Sequence, residues 1–177
     1  VLGLPAEMDV LNFNPFAENL SEADKTVALA AEKVALKVYT TVSTIQASAK
    51  SSGLDAAKAF ETAIEAVGDV VKEQSAAGTT ADLADSSIID KVVTKTETVL
   101  TTKLQEAGFE ASAVTAAVNA NKAVLATAKA QIKTVNDAAD AITSFDATEL
   151  GAIQLRLLQL RKLLQDPVLQ NLQCKQP

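Results

Sequence analysis

The sequence predicts an all-α protein: an antiparallel bundle of four long helices, an irregular N-terminal strap and a leucine-rich C-terminal helix. Apolar residues recur at alternating spacings of four and three, the heptad spacing of helices packed along their length. Hydrophobic residues make up 48% of the 177 residues but aromatic residues only 3%, so the core consists of small side chains. We divide the chain into the strap (residues 1–20), the bundle (21–145) and the leucine-rich helix with its tail (146–177).

The strap mixes helix-breaking residues with bulky apolar ones. Pro5 and Pro15 interrupt helical structure, while Phe13 and Phe16 supply large apolar side chains. We therefore expect the strap to be irregular and to lie across one end of the bundle.

The first two helices are predicted from capping and breaking signals. The first begins at Ser21, whose hydroxyl can cap a free backbone N–H, and ends at the break Ser51-Ser52-Gly53. Its predicted inward row is Val27, Ala31, Val34, Val38, Thr41, Ile45 and Ser48. The second runs from about Leu54 to Ala76, before a loop at Gly78-Thr79-Thr80. Its predicted inward row is Ala57, Phe60, Ile64, Val67 and Val71.

The third and fourth helices have the more regular apolar rows. The third is predicted from Ser86 or Ser87 to Ala107, with Gly108 as a left-handed cap. Its inward residues are Ile89, Val92, Val93, Thr96, Val99, Leu100 and Leu104. The fourth keeps heptad spacing through Val114, Val118, Asn121, Leu125, Ala128, Ile132, Val135, Ala139 and Ile142. Because Asn121 interrupts an apolar row, we expect it to fix the register between helices rather than to bind a ligand.

The composition changes after a capping box at 146–149. Nine leucines lie between Leu150 and Leu172, and they extend beyond the stripe about 100° wide that a helix packed on one side can bury. We predict that this segment makes the principal intermolecular contact, to another protein or to a second copy. The predicted contact residues are Leu155, Leu157, Leu158 and Leu160, with Arg156 and Arg161 at the rim. The strap, a second copy or a different partner could cover the excess leucines.

Several classes of function lack the residues they need. The chain has no His and a single Cys, Cys174, which excludes His-based triads and the usual zinc sites. It contains no glycine-rich phosphate loop and no apolar run of membrane-spanning length. A net charge of −6 argues against binding to nucleic acid. We therefore expect no enzyme activity, no cofactor and no bound metal.

Acidic residues of the second helix allow one alternative to this expectation. Glu61, Glu65 and Asp69 are spaced four residues apart and share a helix face. They could act as ligands for a hard cation, or they could be a solvated face, which is the interpretation we favour.

Two stretches carry a resemblance to a known group of proteins. Residues 2–16, LGLPAEMDVLNFNPF, contain the pattern GLP-x-x-x-D-[LV]-x-x-F-[DN]-P, and residues 28–38, ALAAEKVALKV, follow it. This arrangement resembles helical modules of large secreted bacterial surface proteins, of the adhesin or repeats-in-toxin type. The likeness covers residues 1–75 and continues loosely to about residue 145. It implies a secreted or cell-surface location and a structural or interaction role, with cadherin-like or immunoglobulin-like repeats elsewhere. Since Val1 follows no initiator Met or leader, we expect a piece of a longer protein.

Three functions remain after these exclusions. The first is a non-catalytic structural or interaction module of a larger secreted or cell-surface protein or assembly. The second is a scaffold or linker subunit of a multiprotein complex, docked through its leucine-rich helix. The third is an amphipathic coat protein resembling phasins, although the capping boxes favour a closed bundle over helices spread on a granule surface.

Overall fold

The computed structural model describes residues 2–5, 8–9, 12–15, 17 and 19–143. In this part of the chain, all regular structure is helical. The four helices are α1 (Glu22–Ser51), α2 (Ala56–Ala76), α3 (Ser86–Glu106) and α4 (Ala111–Asp140). The predicted all-α bundle is confirmed, and the described strap residues contain turns and bends but no helix.

Each helix packs against its neighbours in the chain, and α4 packs against α1 to close the bundle. Ion pairs between helices show that neighbours are antiparallel. Lys95 of α3 pairs with Glu73 of α2, whereas Lys103, two turns later, pairs with Glu65, two turns earlier. The topology is therefore up-down-up-down, as short connections between helices favour.

The four helices have two different lengths. α1 and α4 have 30 residues each, and α2 and α3 have 21 each. At 1.5 Å per residue, α1 and α4 are therefore each roughly 13 Å longer than α2 and α3. The additional turns of α1 and α4 pack on each other. Leu29 and Leu36 of α1 contact a small cluster formed by Val135, Ala139 and Ile142. The start of α1 consequently has one fewer helix beside it than the rest of the bundle.

The ends of the helices follow the capping signals. The backbone N–H of Asp24 donates to the Ser21 hydroxyl, and those of Lys58 and Ser87 donate to the N-cap residues Asp55 and Asp85. Gly108 has φ of +83°, which confirms the predicted left-handed cap of α3. These bonds satisfy N–H groups that a helix cannot satisfy internally.

The predicted rows of α3 and α4 are confirmed, apart from Val93 and Val118, which are only partly buried. The row of α1 is buried from Thr41 onward and only partly buried from Val27 to Val38, although Val38 still packs against the cluster that contains Val67 and Val70 of α2. The row predicted for α2 is confirmed at Val67, which is buried, and is wrong at Ala57, Phe60 and Ile64, which are exposed. Phe60 and Ile64 are each 47% exposed.

Small residues explain the orientation of α2. Ala59, Ala63, Ala66 and Val70 form its buried row, one position away from the predicted row and therefore about 100° around the helix. An alanine row lets neighbouring helices approach closely, whereas a Phe and an Ile at the same positions would hold them apart. The bulky pair is consequently turned outward.

Candidate functional site

A buried lysine joins three parts of the bundle. Lys37 of α1 is only 8% exposed, and its Nζ lies 2.9 Å from Oδ1 of Asp82 and 2.8 Å from Oδ1 of Asp140. Asp82 belongs to the α2–α3 connection, and Asp140 is the last residue of α4. We call Lys37, Asp82, Asp140 and the neighbouring Asn136 the polar junction.

The charges of the junction stabilise one another. Burial favours a lower pKa for Lys37, but hydrogen bonds to Asp140 and Asp82 outweigh burial, and the pKa lies above its usual 10.5. Burial likewise favours a higher pKa for Asp82, but the Ala84 backbone N–H and Lys37 hold it below the usual 3.8. Lys37 therefore stays protonated at neutral pH and lacks the free amine that a nucleophile or general base requires.

Asn136 strengthens the same junction from α4. Its Nδ2 donates to the backbone carbonyl of Leu83 at 2.7 Å and to the Thr41 hydroxyl at 3.3 Å. Lys33, one turn before Lys37, donates to the carbonyl oxygen of Asp140 at 2.8 Å, at the carbonyl end of the α4 dipole. The junction therefore attaches the α2–α3 connection to α1 and α4 together.

A second buried asparagine lies toward the other end of the bundle. Nδ2 of Asn121 donates to the hydroxyls of Ser48 and Ser52 at 2.8 and 3.1 Å, so the predicted contact between helices is present. The Oδ1 atoms of Asn121 and Asn136 accept no hydrogen bond from the described residues, which reduces stability. Asparagines in such positions contribute mainly to the choice of register.

The acidic face of α2 is bonded to α3. Glu65 and Glu61 lie 3.2 and 3.7 Å from Nζ of Lys103, and Asp69 lies 3.6 Å from Lys72. The acidic face of α2 is therefore only partly solvated, because Glu61 and Glu65 form ion pairs with the neighbouring helix α3. Within the described ranges, no group of three or more acidic or cysteine side chains could hold a metal ion.

An apolar groove separates the strap from the bundle. Its volume is about 630 Å³. The strap contributes Leu4, Met8, Phe13 and Pro15 to one wall. The opposite wall belongs mainly to α1, with Val34, Ala35 and Val38, and Ile64 of α2 completes it. We call this the strap groove. The strap thus lies along the middle of α1, from Ala31 to Val42, not only across an end of the bundle as expected.

The predicted contact residues from Leu155 to Arg161 lie outside the described residues, so the intermolecular contact stays a prediction. Sequence reasoning missed Lys37, although a signal was present. Lys37, Thr41, Thr44 and Ser48 recur at spacings of four, three and four, which marks a polar row on the buried side of α1. Asn136, one turn beyond Ile132, was missed because apolar neighbours dominate its row.

Comparisons of the chain with protein-family models, curated proteins and solved structures find no match. No described helix combines the length and the apolar character needed to cross a membrane. The assignment of a function therefore depends on the geometry of the bundle and on the sequence pattern.

Proposed function

We propose that this chain is a non-catalytic structural or interaction module of a larger secreted or cell-surface protein or assembly. The polar junction is the main support for this proposal. Lys37, Asn121 and Asn136 are buried, and each donates a hydrogen bond to another part of the bundle. Polar groups used in this way favour one fixed arrangement of helices, which a module that spaces or presents other domains needs.

The second support is the resemblance of residues 2–16 and 28–38 to modules of secreted bacterial surface proteins. In the bundle, the first of these stretches contributes to the strap groove and the second contains Lys37. The residues that carry the resemblance therefore take part in packing and in the polar junction, which supports a structural module.

Protease treatment of intact source cells tests the location and the setting of the chain. We expect peptides of residues 22–143 to be released without lysis, and an antibody against the bundle to detect a polypeptide longer than 177 residues. A cytoplasmic protein, detected with its own antibody in the same samples, serves as the control for lysis. Peptides that appear only after lysis would contradict the proposal.

Fractionation of the same cells separates the alternatives. A scaffold subunit would migrate on native gels with fixed partners and dissociate as a short chain under denaturing conditions. A phasin-like coat protein would float with lipid or polyester granules. We expect neither result, because the alanine row of α2 and the rows of α3 and α4 face one another inside a closed bundle.

A further inference from the structure

A short motif lies where the strap meets α1. Asn19, Leu20 and Ser21 form the pattern Asn-x-Ser. Asn-x-Ser or Asn-x-Thr, with x other than Pro, is the acceptor pattern for N-linked glycosylation. No other Asn of the sequence has Ser or Thr two positions later. The chain therefore has a single position at which this pattern would direct a sugar to an asparagine.

The surroundings of Asn19 leave room for a bulky group. Asn19 is exposed and belongs to a turn, and residues 21–26 are exposed as well. The first buried residue of α1 is Ala28. A glycan on Asn19 would consequently extend into solvent beside the first turn of α1 and would add polar, solubilising surface there.

The other described asparagines do not combine the pattern with exposure. Asn121 and Asn136 are fully buried and bond to other parts of the bundle. Asn14 and Asn119 are exposed, but neither is followed two positions later by a hydroxyl residue. Among the described asparagines, motif and surface position therefore coincide at Asn19 alone.

The hydroxyl of the motif is also the N-cap of α1. Oγ of Ser21 accepts from the backbone N–H of Asp24 at 3.1 Å and donates to Oδ2 of Asp24 at 2.7 Å. A transferring enzyme that recognises this hydroxyl has to break both bonds. The end of a helix without packed neighbours opens at low cost, so the hydroxyl becomes available without unfolding of the bundle. Asn19 makes no part of the cap, which can therefore form again after the transfer.

We propose that Asn19 is N-glycosylated, by transfer of a sugar that is activated at C1 as a diphosphate ester on a nucleotide or a lipid. In this transfer Nδ2 of Asn19 forms a bond to C1, and the bond between C1 and the phosphate oxygen breaks. The diphosphate leaves with the electron pair, and the amide gives one proton to the enzyme. The inference rests on the proposed secreted or cell-surface location, because the motif is typical of surface loops in secreted proteins.

Mass spectrometry of the full chain isolated from its source cells tests the modification. Lys25 is the first trypsin site of the sequence, so one peptide contains both Asn19 and Ser21, and fragmentation assigns an added mass to one residue. We expect a sugar on Asn19 and none on Asn119, the exposed asparagine without the motif. A single sugar would indicate a nucleotide-linked donor, and a longer oligosaccharide would indicate a lipid-linked donor.

Three variants expressed in the same cells separate the motif from the helix cap. Asn19→Gln and Ser21→Asn should lose the added mass, whereas Ser21→Thr should keep it because the hydroxyl remains. Asn and Thr are both efficient N-cap residues. Thermal unfolding followed by circular dichroism should therefore show that α1 is intact in both Ser21 variants, so that a lost sugar reports the motif rather than a damaged helix.

The results that overturn the proposal can be distinguished from failure of the proposed function. An unmodified Asn19 in chains released from intact cells by protease overturns the glycosylation and leaves the surface location established. An unmodified Asn19 in chains found only after lysis overturns both. A sugar that persists in Ser21→Asn would show that the transfer ignores the motif, and that result would also overturn the proposal.

Discussion

Burial of the Lys37 ammonium removes water from a full charge, and the carboxylates of Asp82 and Asp140 offset that cost. Each carboxylate is itself roughly half-exposed, so the group is less isolated than an ion pair deep in a core. Removal of one member of such a group is costly, because the remaining charges lose their partner. At the scale of single residues, Lys37 is therefore the most sensitive position in the junction.

Replacement of Lys37 by Met tests this sensitivity. We expect Lys37→Met to lower the free energy of unfolding by about 2 kcal/mol, since two charge-assisted hydrogen bonds are lost and two carboxylates remain side by side. Lys122→Met is the control, because Lys122 makes one exposed pair with Glu97 and should change stability by less than about 0.5 kcal/mol. Urea unfolding followed by circular dichroism measures both. Equal losses of unfolding free energy in the two variants would show that the junction stabilises the fold no more than an exposed ion pair does.

The junction also predicts how stability depends on pH. The pKa of Asp82 is held below 3.8 in the folded chain, so its contribution is present above about pH 4 and is lost as pH falls through the folded value. The pKa of Lys37 is raised above 10.5, so its contribution is complete below that pH and is lost as pH rises through the folded value. We expect the stability difference between wild type and Lys37→Met to be constant from about pH 5 to about pH 9 and to shrink outside that range. A difference that changes within the range would contradict the assignment.

At the scale of helices, sequence reasoning succeeds where bulky residues occupy the buried row. α3 and α4 have Ile, Val and Leu at heptad spacing, so hydrophobicity alone gives the buried face. It fails for α2, because close packing favours the alanine row over Phe60 and Ile64, and only the neighbouring helices reveal that preference. It also fails at Lys37, because the burial of its charge depends on Asp82 and Asp140, which are distant in sequence. The predicted contact from Leu155 to Arg161 lies beyond the described residues.

Two glycines with different surroundings test the loops and helices separately. Gly53, between α1 and α2, has φ of +104°, and an added Cβ would lie 3.2 Å from Cζ of Phe109. We expect Gly53→Ala to destabilise the chain by about 1–3 kcal/mol through backbone strain. Gly68 lies inside α2 with no heavy atom within 4 Å of an added Cβ, so Gly68→Ala should stabilise the chain by about 0.5–1 kcal/mol. Thermal unfolding compares the two, and a loss of stability in Gly68→Ala would show that α2 is packed differently.

At the scale of the whole molecule, polar contacts fasten the bundle at separate levels. The polar junction connects α1, the α2–α3 connection and α4, while Asn121 connects α4 with the end of α1. Ion pairs of Lys95 and Lys103 connect α2 with α3. Because these contacts include every helix, we expect the bundle to open as one unit rather than helix by helix.

Native-state hydrogen exchange of the full chain tests this claim most directly. We expect the slowest amides of α1, α2, α3 and α4, and of the buried connection at 81–84, to share one free energy of opening. Lys37→Met should lower that value by about 2 kcal/mol in all four helices together. Helices that open at separate free energies, or an effect of Lys37→Met confined to α1, would contradict the account of a single rigid module.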